Sequence, residues 1–156
     1  MTEPGAPGRI VLLLSGPNLE LLGTREPAIY GTATLDDHLA TATEEARRRG
    51  LRIEHLQSNA EAGLVEAVHG ARGRCAAIIV NAGAVTHYGW SLHDALAAFD
   101  GPVVELHLSN PGGREPWRHT SVVTPVATGV ISGFGGAGYR LAVEAVADLL
   151  EKGGTP

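Results

Sequence analysis

Lysine is nearly absent from this chain: Lys152 is the only one among 156 residues, and it sits in a Gly-rich C-terminal segment. Schiff-base catalysis needs a desolvated lysine in a pocket, so that chemistry is not expected. P-loop chemistry fails for want of the same residue. Cysteine is as scarce, and Cys75 alone excludes an internal disulfide. Aromatic residues make up only 4%, so the core must rest on aliphatic side chains and on close packing at the 21 glycines. Basic clusters are missing too. The longest, Arg47-Arg48-Arg49, falls at an expected helix end, where the helix dipole favours cations. With a net charge of -5, no nucleic-acid partner is expected. No apolar run approaches the roughly 18 residues of a membrane span. Residues 1–8 carry no basic and apolar signal segment. A cytoplasmic protein with no membrane partner is the expectation.

What is present fits a single domain over residues 1–156, with 1–8 and about 152–156 as loose tails. Arg9 to Leu14 is a continuous apolar run, the mark of a strand buried on both faces. It breaks at Ser15-Gly16-Pro17-Asn18. The next stretch, to Ala33, shows no period, and about 18 residues without regular structure is the length of a lid. Thr34 caps a helix that Gly50 ends, and Leu51 to Gln57 is a second strand. Ser58-Asn59-Ala60-Glu61 matches a capping box and opens a helix to about Ala71. A third strand spans Ala76 to Val80, a helix Trp90 to Phe99, and a fourth strand Pro102 to Leu108. Gly129 to Gly133 forms a short fifth strand before a last helix from Ala137 to Glu151. Five alternations of strand and helix predict an α/β fold, a doubly wound parallel sheet. Strand order is not readable from sequence, and the flavodoxin-like order 2-1-3-4-5 is the expectation because five βα units without a second half fit it best. Ligands of such sheets bind beyond the carboxyl ends of the strands. The polar loops after strands one, three and four meet there.

Glu105 and His107 lie two apart on strand four and so share a face. In that apolar run a carboxylate needs a partner, and His107 is the nearest. The pair is either structural or a catalytic dyad in which the carboxylate holds the imidazole in one tautomer and steadies its charged form. Arg25 and Tyr30 lie on the lid. An arginine near a phenol favours tyrosinate, although such a pair in a loop is more often plain surface. Asn18, Asn81 and Ser109 offer neutral groups for an oxyanion or hydroxyls. Arg114 and Arg118 follow strand four, and either can bind an anion. Gly133-Phe-Gly135-Gly-Ala-Gly138 has dinucleotide spacing but no strand and acid beyond it, so close helix–strand packing is the better reading. The seven histidines show no short metal-ligand spacing, and no metal is expected. His38, His55 and His69 read as ordinary surface or packed positions. A cofactor-free acid/base site remains, against the alternative of a non-catalytic flavodoxin-like module binding a small anion or nucleotide.

The run from Gly16 to Gly31 (GPNLELLGTREPAIYG) resembles the signature of the type II 3-dehydroquinate dehydratases. So do Gln57 to Glu61, Asn81 to His87, Glu105 to Asn110, Arg114 to Ser121, Thr128 to Gly133 and the Gly-rich turn before Tyr139, in order over about residues 9 to 150. The resemblance implies a lyase that dehydrates 3-dehydroquinate to 3-dehydroshikimate through an enolate, without Schiff base or cofactor. That reaction belongs to the shikimate route to chorismate and aromatic amino acids, or to quinate breakdown. Tyr30 would take the proton beside the ketone, Arg25 would stabilise the transition state, and Asn18 would hold a water at the enolate. His107, oriented by Glu105, would protonate the departing hydroxyl. Asn81, His87, Arg118 and the backbone of Leu108 and Ser109 would hold the substrate, and Asp94 would reach a neighbouring subunit's site. The family's assembly implies a homo-dodecamer of four trimers. Two local departures stand out: Glu20, where a neutral residue is commoner, and Pro111-Gly112-Gly113 before Arg114.

Overall fold

Five parallel strands in the order β2-β1-β3-β4-β5 form the sheet of this computed structural model, which describes residues 9–156. The expected tail at 1–8 lies outside the described residues. The strands are β1 (Arg9–Ser15), β2 (Leu51–Gln57), β3 (Ala77–Asn81), β4 (Val103–His107) and β5 (Gly129–Ser132). The predicted order and parallel sense are both observed. Alternating residues of β1 divide between the two faces. Val11 and Leu13, with Ile79, Val104 and Leu106, pack against α2 (Leu35–Arg48) and α5 (Ala137–Glu151). Leu12 and Leu14, with Ile78, Val80 and Val103, pack against α3 (Glu61–Ala71) and α4 (Trp90–Ala97). Burying each such side chain contributes about 1.5–3 kcal/mol.

The helix starts differ from expectation in one case. Thr34 caps α2 as predicted, and Asp37 completes a capping box with it: Asp37 N donates to Thr34 Oγ1 at 3.1 Å and Thr34 N to Asp37 Oδ2 at 2.9 Å. The box predicted at Ser58 does not form. Ser58 Oγ bonds the N–H and C=O of Ala60 instead, and Ala60 becomes the N-cap of α3 without a side-chain bond. Glu61 is drawn away to α4, where Ser91 Oγ and Leu92 N donate to its carboxylate. The presumed structureless stretch after β1 also holds local structure. A 3-10 turn spans Leu19–Leu21, and α1 (Pro27–Tyr30) is a single turn started by a proline. Such short pieces leave no readable period. Buried Leu19 and Leu22 fix the near end of this segment to the core.

At the other end of the chain, the expected tail turns back on α5, with Gly154 N donating to Leu149 O at 2.7 Å. The glycine motif before α5 serves packing. A Cβ on Gly138 would stand 2.8 Å from Leu106 Cδ1, so the Leu106 side chain would have to shift to keep the helix this close to β4. His38 of α2 is buried and stacks on Tyr139 of α5, ring centroids 4.8 Å apart.

The middle of the sheet sets the position of the site. β1 and β3 are neighbours, and their loops touch: Gly16 N donates to Asn81 O at 2.8 Å. A Cβ on Gly16 would fall 2.2 Å from the Ala82 carbonyl oxygen, so only glycine permits this approach.

Candidate active site

Glu105 lies between Val104 and Leu106, whose side chains face α2 and α5, so it points to the opposite face together with His107. There His107 Nε2 meets Glu105 Oε2 at 2.5 Å, with Glu105 2% exposed. Two further donors complete the carboxylate's shell. Ser121 Oγ donates to Oε2 at 2.9 Å and Thr124 Oγ1 to Oε1 at 2.6 Å. Burial pushes the Glu105 pKa up, but the bonds from His107, Thr124 and Ser121, together with the charge of His107, outweigh it and hold the carboxyl below its usual range. An ionised carboxylate only accepts, so Nε2 carries a proton and Nδ1 is the nitrogen left to exchange one. The spacing of Glu105 and His107 marks the dyad in the sequence, but not its hydroxyl partners. Ser121 and Thr124 sit in an aperiodic segment where nothing marks their contact with β4.

Tyr30 comes to the same cleft from α1, which Pro27 starts. Arg25 lies over the tyrosine ring, its Cζ 4.7 Å from the centroid, as a cation–π contact. The hydroxyl itself belongs to a different arginine. Arg114 Nη1 donates to Tyr30 Oη at 2.8 Å and to Ser109 Oγ at 3.1 Å. Sequence proximity suggests only Arg25 as the partner of Tyr30 and Arg114 as one of two anion binders. No local signal could reveal a contact between residues so far apart in the chain. Pro111–Gly113 forms a 3-10 turn, closed by Arg114 N donating to Pro111 O at 3.2 Å, which aims the side chain back at the lid. Arg114 Nε is buried and has no protein partner.

Asn18, Asn81, His87, Leu108, Ser109 and Arg118 also line the cleft, so the structure brings together every predicted site residue of this chain except Asp94 and Glu105. Glu105 stands behind His107. Asp94 is exposed on α4, outside the cleft. Asn18 has φ 68, a left-handed backbone that asparagine tolerates better than most residues. Asn81 is buried, and its Oδ1 accepts from Gly83 N at 3.4 Å. His87 Nδ1 donates to the Thr120 carbonyl at 2.7 Å. Burial lowers its pKa against the bond to Thr120, which raises it, and His107 and Arg118 add to the lowering. With Nδ1 taken by that bond, Nε2 is the ring nitrogen left free. Arg118 stacks over Trp117 at 3.9 Å, and its Nε donates to Glu115. Among the described residues no group of three or more His, Cys, Asp and Glu side chains is placed to hold a metal ion. No helix among them is long and apolar enough to cross a membrane.

A doubly wound sheet with an acid/base cleft beyond strands β1, β3 and β4 defines an α/β enzyme of the flavodoxin-like architecture. The model of the family described as dehydroquinase class II matches residues 9–147. The chain belongs to that family. It is 50% identical over 143 residues to a protein named 3-dehydroquinate dehydratase 2 from Pseudomonas putida, covering 92% of this chain and 96% of that one. It is 48% identical over 140 residues to a protein named catabolic 3-dehydroquinase from Aspergillus clavatus, covering 90% and 93%. The crystal structure of the type II dehydroquinase from Propionibacterium acnes superposes with a TM-score of 0.87 at 40% identity, covering 92% of this chain and 99% of that one.

Proposed function

We propose that residues 1–156 act as one catalytic domain that dehydrates 3-dehydroquinate to 3-dehydroshikimate. One observation carries the reading: a lid tyrosine with two guanidiniums beside it and a carboxylate-held histidine line a single cleft. Tyr30, as phenolate, removes the proton next to the ketone, and the electron pair moves onto the carbonyl oxygen to give an enolate. Arg25 and Arg114 place positive charge beside the phenolate. A water held by Asn18 meets the enolate oxygen. The enolate then collapses, the bond to the β-hydroxyl breaks, and that oxygen leaves as water with a proton from His107. The product is a conjugated enone. Glu105 fixes the ring of His107, so a single nitrogen exchanges the proton. Asn81, His87, Arg118 and the backbone of Leu108 and Ser109 hold the substrate's hydroxyls and carboxylate.

The alternative of a non-catalytic binding module is not favoured, since family membership over residues 9–147 points to a lyase and a binder has no use for a poised tyrosine. A role in the shikimate route or in quinate breakdown in the cytoplasm, and assembly as a dodecamer of four trimers, belong to the same reading. Supporting assembly, Trp90 is 62% exposed one turn from exposed Asp94 on α4, a face suited to a neighbouring subunit's cleft. Native mass measurement tests this, with a particle twelve times the chain mass expected and a stable monomer against it. The activity test is the rise of enone absorbance when 3-dehydroquinate is added. No rise with folded protein would sink the assignment.

A further inference from the structure

Glu20 carries the only charge between Gly16 and Thr24, at the start of the segment that bears Arg25 and Tyr30. A carboxylate there is unfavourable for a cleft that receives an anion, and its side chain does not line that cleft. Both oxygens turn instead to the loop after β2. Oε1 accepts from Asn59 Nδ2 at 2.9 Å, and Oε2 accepts from Gln57 Nε2 at 2.7 Å. A carboxylate cannot donate, so these contacts fix which end of each amide faces it. With Nδ2 committed to Glu20, Asn59 presents Oδ1 to the backbone N–H of Asn18, 3.0 Å away. Gln57 Nε2 also lies 3.1 Å from the Gly16 carbonyl, on the other side of Asn18. Asn18 is the residue in this turn that needs holding. Its φ of 68 lies in the left-handed region, which asparagine tolerates better than most residues but which still costs more than an ordinary backbone and benefits from outside support.

We infer that Glu20 is a positioning residue for the enolate side of the site. Through Asn59 and Gln57 it holds the backbone of Asn18 in the left-handed turn and so aims the Asn18 side chain. The inference rests on the role given to Asn18 above. The two contacts of Glu20 and the bond from Asn18 N to Asn59 are exposed, and exposed polar contacts add little to global stability. Their effect therefore falls on turnover rather than on folding.

The experiment compares wild type with Glu20→Ala, Glu20→Gln, Asn59→Ala and the Glu20→Ala/Asn59→Ala double variant, with Tm measured for each. Glu20→Ala is expected to lower kcat about tenfold with KM changed less than about twofold, the mark of a loss felt in the transition state. Glu20→Gln recovers part of the rate, because its amide keeps one acceptor but sets a donor against a donor. Asn59→Ala reproduces the loss, and the double variant is no slower than either single one. Hydrogen exchange of the Asn18 amide, read by NMR, tests the hold without reference to turnover, and Glu20→Ala should speed it. Unchanged exchange, or additive losses in the double variant, overturns the positioning role. Faster exchange with an unchanged kcat overturns the catalytic role of Asn18 instead.

Discussion

Arg114 Nη1 and the Tyr30 hydroxyl are 84 positions apart in sequence and 2.8 Å apart in space. The contact joins the lid to the loop after β4, the strand that ends in His107. Arg114→Met should lower kcat by about one to two orders of magnitude, as loss of an electrostatic stabiliser does. Arg114→Lys keeps the charge without the fork that reaches Tyr30 and Ser109 together, and should fall between. Steady-state rates from enone absorbance check both. An Arg114→Met enzyme as fast as wild type would remove this arginine from the account.

Glu105→Gln tests the dyad in two ways. An amide can present N–H to the histidine, releasing the fixed tautomer, and kcat should drop about a hundredfold, the range of a lost acid/base contribution. Stability supplies the second test. Because the folded Glu105 pKa is held below the unfolded value, the unfolded chain binds more protons. Its stabilising contribution is therefore present above an unfolded pKa of about 4.3 and is lost as pH falls through the folded one. Urea unfolding of Glu105→Gln should show a weaker loss of stability below about pH 4.3 than wild type. A steeper acid loss in the variant would contradict the sign.

The alternation of strand and helix and the dyad are legible because both rest on short-range pattern, whereas the strand order follows only from matching five βα units to the flavodoxin-like arrangement. β1 reads as a two-faced apolar run, and Glu105 and His107 obey a period of two. The further partners, Arg114 for Tyr30 and Ser121 and Thr124 for Glu105, are not legible. Arg114, Ser121 and Thr124 come from loops whose backbone is set by turns, without a period to read. The false capping box at Ser58 has a similar cause. Its residues fit the pattern, but Glu61 finds a better partner on α4, a contact between elements that a local motif does not encode.

Gly16→Ala should damage fold and function together. The added Cβ would meet the Ala82 carbonyl oxygen at 2.2 Å, which forces the loops after β1 and β3 apart. A loss of about 1–3 kcal/mol by urea unfolding is expected, the size of an overpacking defect. Turnover should fall as well, since Asn18 and Asn81 sit on the separated loops. An alanine variant with wild-type stability would mean the loops do not approach this closely in solution.

His38→Phe should relieve a pH-dependent cost. Burial, the larger effect, lowers the His38 pKa against the opposing charge of Asp37, and its Nε2 finds no partner. With the folded pKa depressed, wild-type stability from this site is complete above the unfolded value of about 6.5 and is lost as pH falls below it. Phenylalanine keeps the stack on Tyr139 and cannot titrate. Unfolding midpoints at about pH 8 and about pH 5.5 should therefore show the variant gaining on wild type at the lower pH. A gap that stays constant between the two would refute it.

The central claim is that the lid supplies the base, and Tyr30→Phe tests it most directly. The substitution removes one oxygen and keeps the ring under Arg25. Turnover followed by enone absorbance should fall by about three orders of magnitude, within the range of a lost general base. Substrate affinity by calorimetry should stay within about tenfold of wild type, since the proposed binding contacts are those of Asn81, His87 and Arg118. A Tyr30→Phe enzyme that turns over 3-dehydroquinate at close to the wild-type rate would show that the proton goes elsewhere.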